Sequence, residues 1–271
     1  MKHILVSLLA LVYATQAPAN GLSGLILKGV VSSSYSNTYS MLFGGGATNE
    51  VVSNFSDQFN RERTDGFSVS CWFKKTATGV YQMVIGNNVS GSAYRGWSLV
   101  VQDDDQIQWD LLNGYPDNWA QVVTSASVSS NVFVHVVGTK ASGSSAASSM
   151  KVYINRSAAA TTTGSDSLSA TTVGTDPLRI GGRAADGNNF FGNIDECSLW
   201  NSELTPSEVS ALADVNGKPA NLAAHPAYAN LAHWWRMGDA PDSITQIRDR
   251  RGTNHGTPID MEAGDIDPVV P

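Results

Sequence analysis

The stretch GNIDECSLWN, Gly192 to Asn201, sets two acids side by side inside an apolar run that ends in tryptophan. Bounded by glycine and asparagine, it reads as a strand over Ile194–Trp200. Side chains on a strand alternate between faces, so Asp195 and Glu196 are expected to point in opposite directions. Ile194 and Ser198 then accompany Glu196, and Asn193 and Cys197 accompany Asp195. Cleavage of a glycosidic bond needs two carboxylates flanking one bond. The pair is therefore expected to be scaffold, holding loop amides or a nearby basic side chain.

Working outward, LTPSEVSALADVNGKP follows at once. Thr205 is a natural N-cap, Pro206 suits the first helical position and Glu208 completes a capping box. Gly217 and Pro219 are expected to stop this helix. Upstream, FSVSCWFKK alternates cleanly, with Phe67, Val69, Cys71 and Phe73 on one side and Ser68, Ser70, Trp72 and Lys74 on the other. Similar short runs recur at Tyr39–Phe43, Gln82–Ile85, Trp97–Gln102, Gln106–Leu111, Val132–Thr139, Met150–Ile154, Leu178–Ile180 and His233–Met237. Asp103-Asp104-Asp105 reads as a hairpin turn between two of them. Only 15% of the 271 residues are charged, below the roughly 25% of an average domain. The pattern predicts an all-β, two-sheet antiparallel sandwich with one short α-helix.

PLRIGGRAADGNNFFGNIDECSLWNSELTPSEVSAL, read as a whole, resembles the laminin-G-like jelly roll of the concanavalin A-like lectin/glucanase superfamily. Gly192, Ile194, Asp195, Glu196, Trp200, Asn201, Leu204 and Glu208 carry the likeness, and TDGFSVSCWFK, AYRGWSLVV, VFVHVVGTK and MKVYINRSAA agree with it. The resemblance implies a jelly-roll sandwich over residues 39–271, with Asp195, Glu196, Trp200 and Asn201 as its structural motif. Glucanases of the superfamily use a Glu-x-Asp-x-Glu strand, which this chain lacks. The family's first strand usually ends in Phe-Asp-Gly, where this chain has Phe43-Gly44-Gly45-Gly46; that departure weakens a calcium or sugar role for the first loop. The C-terminal run from Asn230 to Pro271 resembles the ending of such domains in structural proteins of marine tailed phages.

Residues 1–20 combine a basic start, an apolar run from Ile4 to Tyr13 and Ala17-Pro18-Ala19. They read either as an apolar arm docked on a partner or as a cleaved secretory signal peptide, with residues 21–38 as a linker. No later segment reaches the roughly 20 apolar residues of a membrane span. The net charge of −7, with 17 scattered basic residues, leaves no footprint for nucleic acid. Cys71 and Cys197 are expected as two buried thiols, since directly paired strands seldom offer relaxed disulfide geometry; a bridge stays open if their strands are neighbours.

In NGYPDNW, Tyr115, Asp117, Asn118 and Trp119 are candidate glycan contacts, read as one polar loop with flat aromatic faces beside hydrogen-bonding groups. Asp103, Asp105 and Asp186 are candidate Ca²⁺ ligands, although a solvated turn is the preferred reading; no other cofactor is implied. Trp234 and Trp235 alternate, so at most one is expected in the core, leaving the other for a subunit or sugar. His135 and His233 read as packing residues, and no nucleophile elbow or phosphate loop is present. The C-terminal resemblance, with the apolar arm and the missing Glu-x-Asp-x-Glu strand, implies a non-catalytic phage virion surface protein, a capsid decoration, tail or fibre component contacting other virion proteins or copies of itself, with glycans as a further contact. The alternative is a secreted, lectin-like carbohydrate-binding module with a cleaved signal peptide; a glycoside hydrolase is a minor third.

Overall fold

The computed structural model describes residues 35–46, 48–54, 56–88, 94–183 and 187–271. Its first eight strands are β1 (Ser40–Gly44), β2 (Glu50–Ser53), β3 (Phe67–Lys75), β4 (Gln82–Gly86), β5 (Gly96–Val101), β6 (Gln106–Gly114), β7 (Asn118–Ser127) and β8 (Val134–Lys140). The remainder are β9 (Met150–Ile154), β10 (Ser157–Ala158), β11 (Thr161–Asp166), β12 (Arg179–Ile180), β13 (Phe191–Trp200), β14 (Leu231–Trp235), β15 (Gly256–Ile259) and β16 (Ile266–Asp267). They form two eight-stranded sheets. The first runs β10-β9-β8-β3-β13-β1-β16 with β14 also on β13; the second runs β11-β7-β6-β5-β4-β12-β2-β15. Every pairing is antiparallel, as expected of a jelly-roll sandwich.

The two sheets enclose one large core, to which β3 contributes Phe67, Val69, Cys71 and Phe73 as its alternation requires. Trp97 of β5 and Trp109 of β6 meet Phe67 across it. At Gly138 of β8 the sheets approach closely: a Cβ there would lie 2.7 Å from the Trp109 ring. Any larger residue at this position has to push the sheets apart.

Strand β13 holds the first sheet together. β3 runs along one edge, while the other edge is shared by β1, opposite Phe191–Ile194, and β14, opposite Cys197–Trp200. Asp195 and Glu196 fall in the gap between these two partners. There the register slips: Asp195 pairs with Trp72 and Ser198 with Ser70, so Glu196 and Cys197 together face Cys71. This is a β-bulge, and Glu196 takes φ +46°, a left-handed value uncommon outside glycine. The bulge breaks the alternation. Ile194, Cys197 and Leu199 all enter the main core, and the two carboxylates both lie on the outer face. The expectation of opposite faces is thereby overturned.

The same slip sets Cys71 against Cys197, with Cα atoms 4.2 Å apart, and the two form a disulfide. Two buried thiols are thus replaced by one buried cross-link, because the bulge removes the regular pairing on which the expectation rested.

The outer face of the first sheet is itself covered. Trp200, Leu204, Val209, Leu212, Leu222, Leu231 and Trp234 make a second hydrophobic cluster beneath the segment that follows β13. Trp235 belongs to the main core and Trp234 to this second one, with exposures of 0% and 6%. Both tryptophans are therefore core, since each face of β14 has its own cover. The helix α1 (Pro206–Ser210) carries the expected Thr205–Glu208 capping box. It is shorter than expected: the chain turns away after it, Ala213 bridges Pro219, and Gly217 sits inside a turn whose amides donate to Asp214.

The disulfide closes a loop with a sequence separation of 126 residues. Disulfides typically confer about 2–4 kcal/mol by restricting the unfolded chain. The double variant Cys71→Ala/Cys197→Ala is expected to lose stability in that range in urea titrations, while keeping the wild-type far-ultraviolet circular dichroism spectrum.

Candidate functional site

Among the described residues the second sheet has no equivalent cover. On β6, Ile107, Trp109 and Leu111 point into the core, so Gln108, Asp110 and Leu112 point outward. On β7, Ala120 and Val122 point inward, which leaves Trp119 and Gln121 on the same outer face. A cleft of about 390 Å³ lies over these residues, closed at its margins by Tyr81, Tyr94, Tyr115 and Arg183. That volume falls in the usual range for small-ligand sites.

The floor is a preorganised polar network. Gln102 donates to Gln108 Oε1 at 2.6 Å, and Gln108 donates to Tyr81 Oη at 2.8 Å and to Asp110 Oδ2. Ser98 Oγ donates to Asp110 Oδ1 at 2.5 Å, and Arg183 Nη2 to Asn88 Oδ1 at 3.1 Å. Burial raises the Asp110 carboxyl above its ordinary range, against the pull of Ser98, Gln108 and Arg183. Along one wall the aromatics stand edge to face, with Tyr94–Tyr115 centroids 6.2 Å apart and Tyr115–Trp119 5.3 Å apart. Tyr115 is 61% exposed. An aromatic wall beside fixed amides and a carboxyl presents both a stacking surface and hydrogen-bond partners to a polyhydroxylated ligand.

The four glycan candidates divide. Tyr115 and Trp119 line the cleft. Asn118 does not: its side chain binds Ser169 and accepts from the Ser169 and Ala170 amides, tying β7 to the neighbouring loop. Asp117 is exposed at the hairpin tip. The segment is not one loop, because β7 begins at Asn118. Sequence reasoning passed over Gln102, Gln108, Asp110 and Gln121. Their signal was present in the outward parity of β6 and β7, where bulky amides replace the usual small or charged surface residues.

The metal candidates also separate. Asp105 pairs at 2.8 Å with the fully buried Lys75, whereas Asp103 is exposed in the expected turn. Asp186 lies outside the described residues. Among the described residues no group of three or more His, Cys, Asp or Glu converges as a metal site.

Asp195 and Glu196 occupy a different place, buried at 0% and 4% exposure. Glu196 accepts from Tyr35 Oη and Arg236 Nε, both at 2.9 Å, and from Trp234 Nε1 at 2.5 Å. Asp195 accepts from Asn37 Nδ2 and from the Glu196 amide, both at 2.8 Å. Residues 35–38, expected as the end of a linker, are thus bonded to the sheet. Burial, and then the neighbouring Glu196, hold Asp195 well above the carboxylate range. Burial also raises Glu196, while Arg236 opposes it. The space beside Glu196, lined by Ser70, Trp72 and Leu212, is about 10 Å³, room for about one water molecule. Trp200 Nε1 donates to Ser198 Oγ at 2.9 Å, and Asn201 Oδ1 accepts from Arg61 at 2.8 Å. His135 stacks on Trp72, and burial pushes it down to about 3.

The Laminin_G_3 profile, described as the concanavalin A-like lectin/glucanases superfamily, matches residues 44–210. The chain belongs to this superfamily. A candidate carbohydrate-binding protein from Bacteroides ovatus superposes with a TM-score of 0.58 at 16% identity, over 86% of this chain and 62% of that one. This chain therefore spans under two thirds of that protein's length. A heptameric SAP-like pentraxin from Limulus polyphemus superposes with a TM-score of 0.51 at 15% identity, over 82% of this chain and 96% of that one. These likenesses establish the fold. Among curated proteins no sequence relative matches.

Arg236 is the cation that offsets the buried acid pair. Replacing one partner of a buried ion pair typically costs about 3–5 kcal/mol, and Arg236→Met is expected to fall in that range by urea titration. With Arg236 gone, Glu196 rises further and is protonated more readily in the folded state. The deficit should therefore shrink as pH falls from 7 toward the carboxylate range; a deficit constant across that interval would contradict the assignment.

Proposed function

We propose that this chain is a carbohydrate-binding, lectin-like module and that the outer-face cleft of the second sheet is its glycan site. The observation that carries the reading is the conjunction of Tyr115 and Trp119 on one wall with the Gln102–Gln108–Asp110 network on the floor. Aromatic rings cover the apolar C–H faces of a sugar ring, and fixed amides exchange hydrogen bonds with its hydroxyls at little ordering cost. The likeness to a carbohydrate-binding candidate supports the same reading.

Binding rather than hydrolysis is favoured by the number of acids. Among the described residues lining the cleft, Asp110 is the single carboxylate, whereas acid and base or nucleophile require two. Asp195 and Glu196, though on one face, have no space beside them for a sugar.

An extracellular setting is supported by the Cys71–Cys197 cross-link, since structural disulfides persist in oxidising compartments, and by the signal-like composition of residues 1–20. Neither of the two similar proteins is a virion component, and nothing in the cleft calls for one, so the reading sets the virion assignment aside. Among the described residues no helix is long and apolar enough to cross a membrane.

Affinity electrophoresis or column retention on a panel of polysaccharides tests this directly. At least one glycan is expected to retard the wild type. Trp119→Ala and Tyr115→Ala should each weaken binding about tenfold or more, equivalent to about 1.4 kcal/mol. Asp117→Ala should change nothing, and a chelator should leave retention intact because Asp105 is already paired with Lys75. A panel with no retention, or retention indifferent to Trp119→Ala, overturns the proposal.

A further inference from the structure

A second cleft, of about 370 Å³, is bounded by Gln58, Arg61, Asn201, Leu231, His233 and Arg251. It lies at the start of β14, away from the tyrosines of the first cleft. Its chemistry is opposite to the chain's net charge of −7: two guanidinium groups and an imidazole line it, and no carboxylate among the described lining residues does.

Arg61 is 7% exposed. Its Nη1 donates to the Gln58 and Asn60 carbonyls, both at 2.7 Å, and its Nη2 to Asn201 Oδ1 at 2.8 Å. Among the described residues Nε is buried with no partner, and no acid stands in direct ion-pair contact with the group. Burial pushes this guanidinium down to about 10, with the Asp65 charge opposing the shift, so it stays charged at neutral pH. Arg251 stacks over Tyr228 at 4.7 Å and donates through Nε to the Leu231 carbonyl at 3.1 Å. Its terminal nitrogens have no partner among the described residues.

His233 supplies a different function. Its Nδ1 lies 2.7 Å from Asp249 Oδ2, and the carboxylate is further held by the Trp234 and Arg251 amides. With Nδ1 engaged by Asp249, Nε2 is the ring nitrogen left to meet a ligand. That atom is buried and has no partner among the described residues.

We propose that this cleft binds a hydroxyl-bearing oxyanion of monosaccharide size, such as a sugar acid. Arg61 and Arg251 take the oxyanion, for which planar guanidinium forks are suited, and His233 Nε2 hydrogen-bonds an adjacent hydroxyl. Asn201, the last residue of the GNIDECSLWN motif, orients Arg61 rather than meeting the ligand. The ligand can be a free sugar acid or an acidic residue within a glycan chain, since both present the same group.

Thermal unfolding of the full chain with sodium glucuronate, glucuronate-containing oligosaccharide, glucose or sodium sulfate, each against sodium chloride at matched ionic strength, provides the test. Glucuronate, alone or in the oligosaccharide, is expected to raise Tm saturably and glucose is not. A response to the monomer alone identifies a free acid as the source, and one to the oligosaccharide identifies a chain. Arg251→Gln, at an exposed position, should keep the unliganded Tm and lose at least tenfold in affinity. Trp119→Ala should leave the response unchanged, which separates this cleft from the first. A flat response to both glucuronates, a response to sulfate without either, an effect equal in wild type and Arg251→Gln, or one lost in Trp119→Ala overturns the proposal.

Discussion

Strand β13 changes partners in mid-course, and the architecture depends on how that change is stabilised. Between the end of its pairing with β1 and the start of its pairing with β14, the backbone bulges and places two carboxylates on one buried face. Burying two like charges side by side is unfavourable by several kcal/mol unless partners compensate. Arg236, Trp234, Tyr35 and Asn37 are those partners. They come from the strand after the bulge and from the segment entering the sandwich, so satisfying the acids fastens both to β13. On the opposite face the same bulge brings Cys197 onto Cys71 and cross-links β13 to β3.

The asymmetry between the sheets follows from what comes after β13. The segment from Asn201 to Asn230 folds back over the first sheet and buries Trp200, Leu204, Val209 and Trp234 in a second core. The second sheet receives no such layer from the described residues. Its outward residues are free to be polar and to form a cleft, which is why a scaffold strand lies in one sheet and the candidate ligand surface in the other. The acid pair that first suggests catalysis is the device that positions the layers; the side chains suited to a ligand lie elsewhere.

The alternation of FSVSCWFKK, the capping box at Thr205 and Glu208, and the turn at Asp103–Asp105 were all legible in the sequence, because each depends on neighbours a few residues apart. So was the superfamily, through the residues around Ile194–Asn201. Tyr115 and Trp119 were legible as aromatics set among polar groups. The bulge was not: alternation assumes unbroken pairing, and a register slip depends on which strands flank β13. The cross-link followed from that slip, and the burial of both Trp234 and Trp235 followed from the cover over β14.

By itself, then, the sequence determined the local periodicities, the turns and caps, and hence an antiparallel sandwich of this superfamily, since those signals reside in contacts along the chain. Only the tertiary structure decided the shared face of Asp195 and Glu196, the Cys71–Cys197 bond, and the convergence of Gln102, Gln108 and Asp110 with Tyr81, Tyr94 and Arg183. It also decided the meeting of Arg61 with His233 and Arg251. The physical reason is common to all of these: groups tens to well over a hundred residues apart acquire their environment from strand neighbours and covering layers, and burial, charge compensation and cleft formation do not exist until those layers are in place.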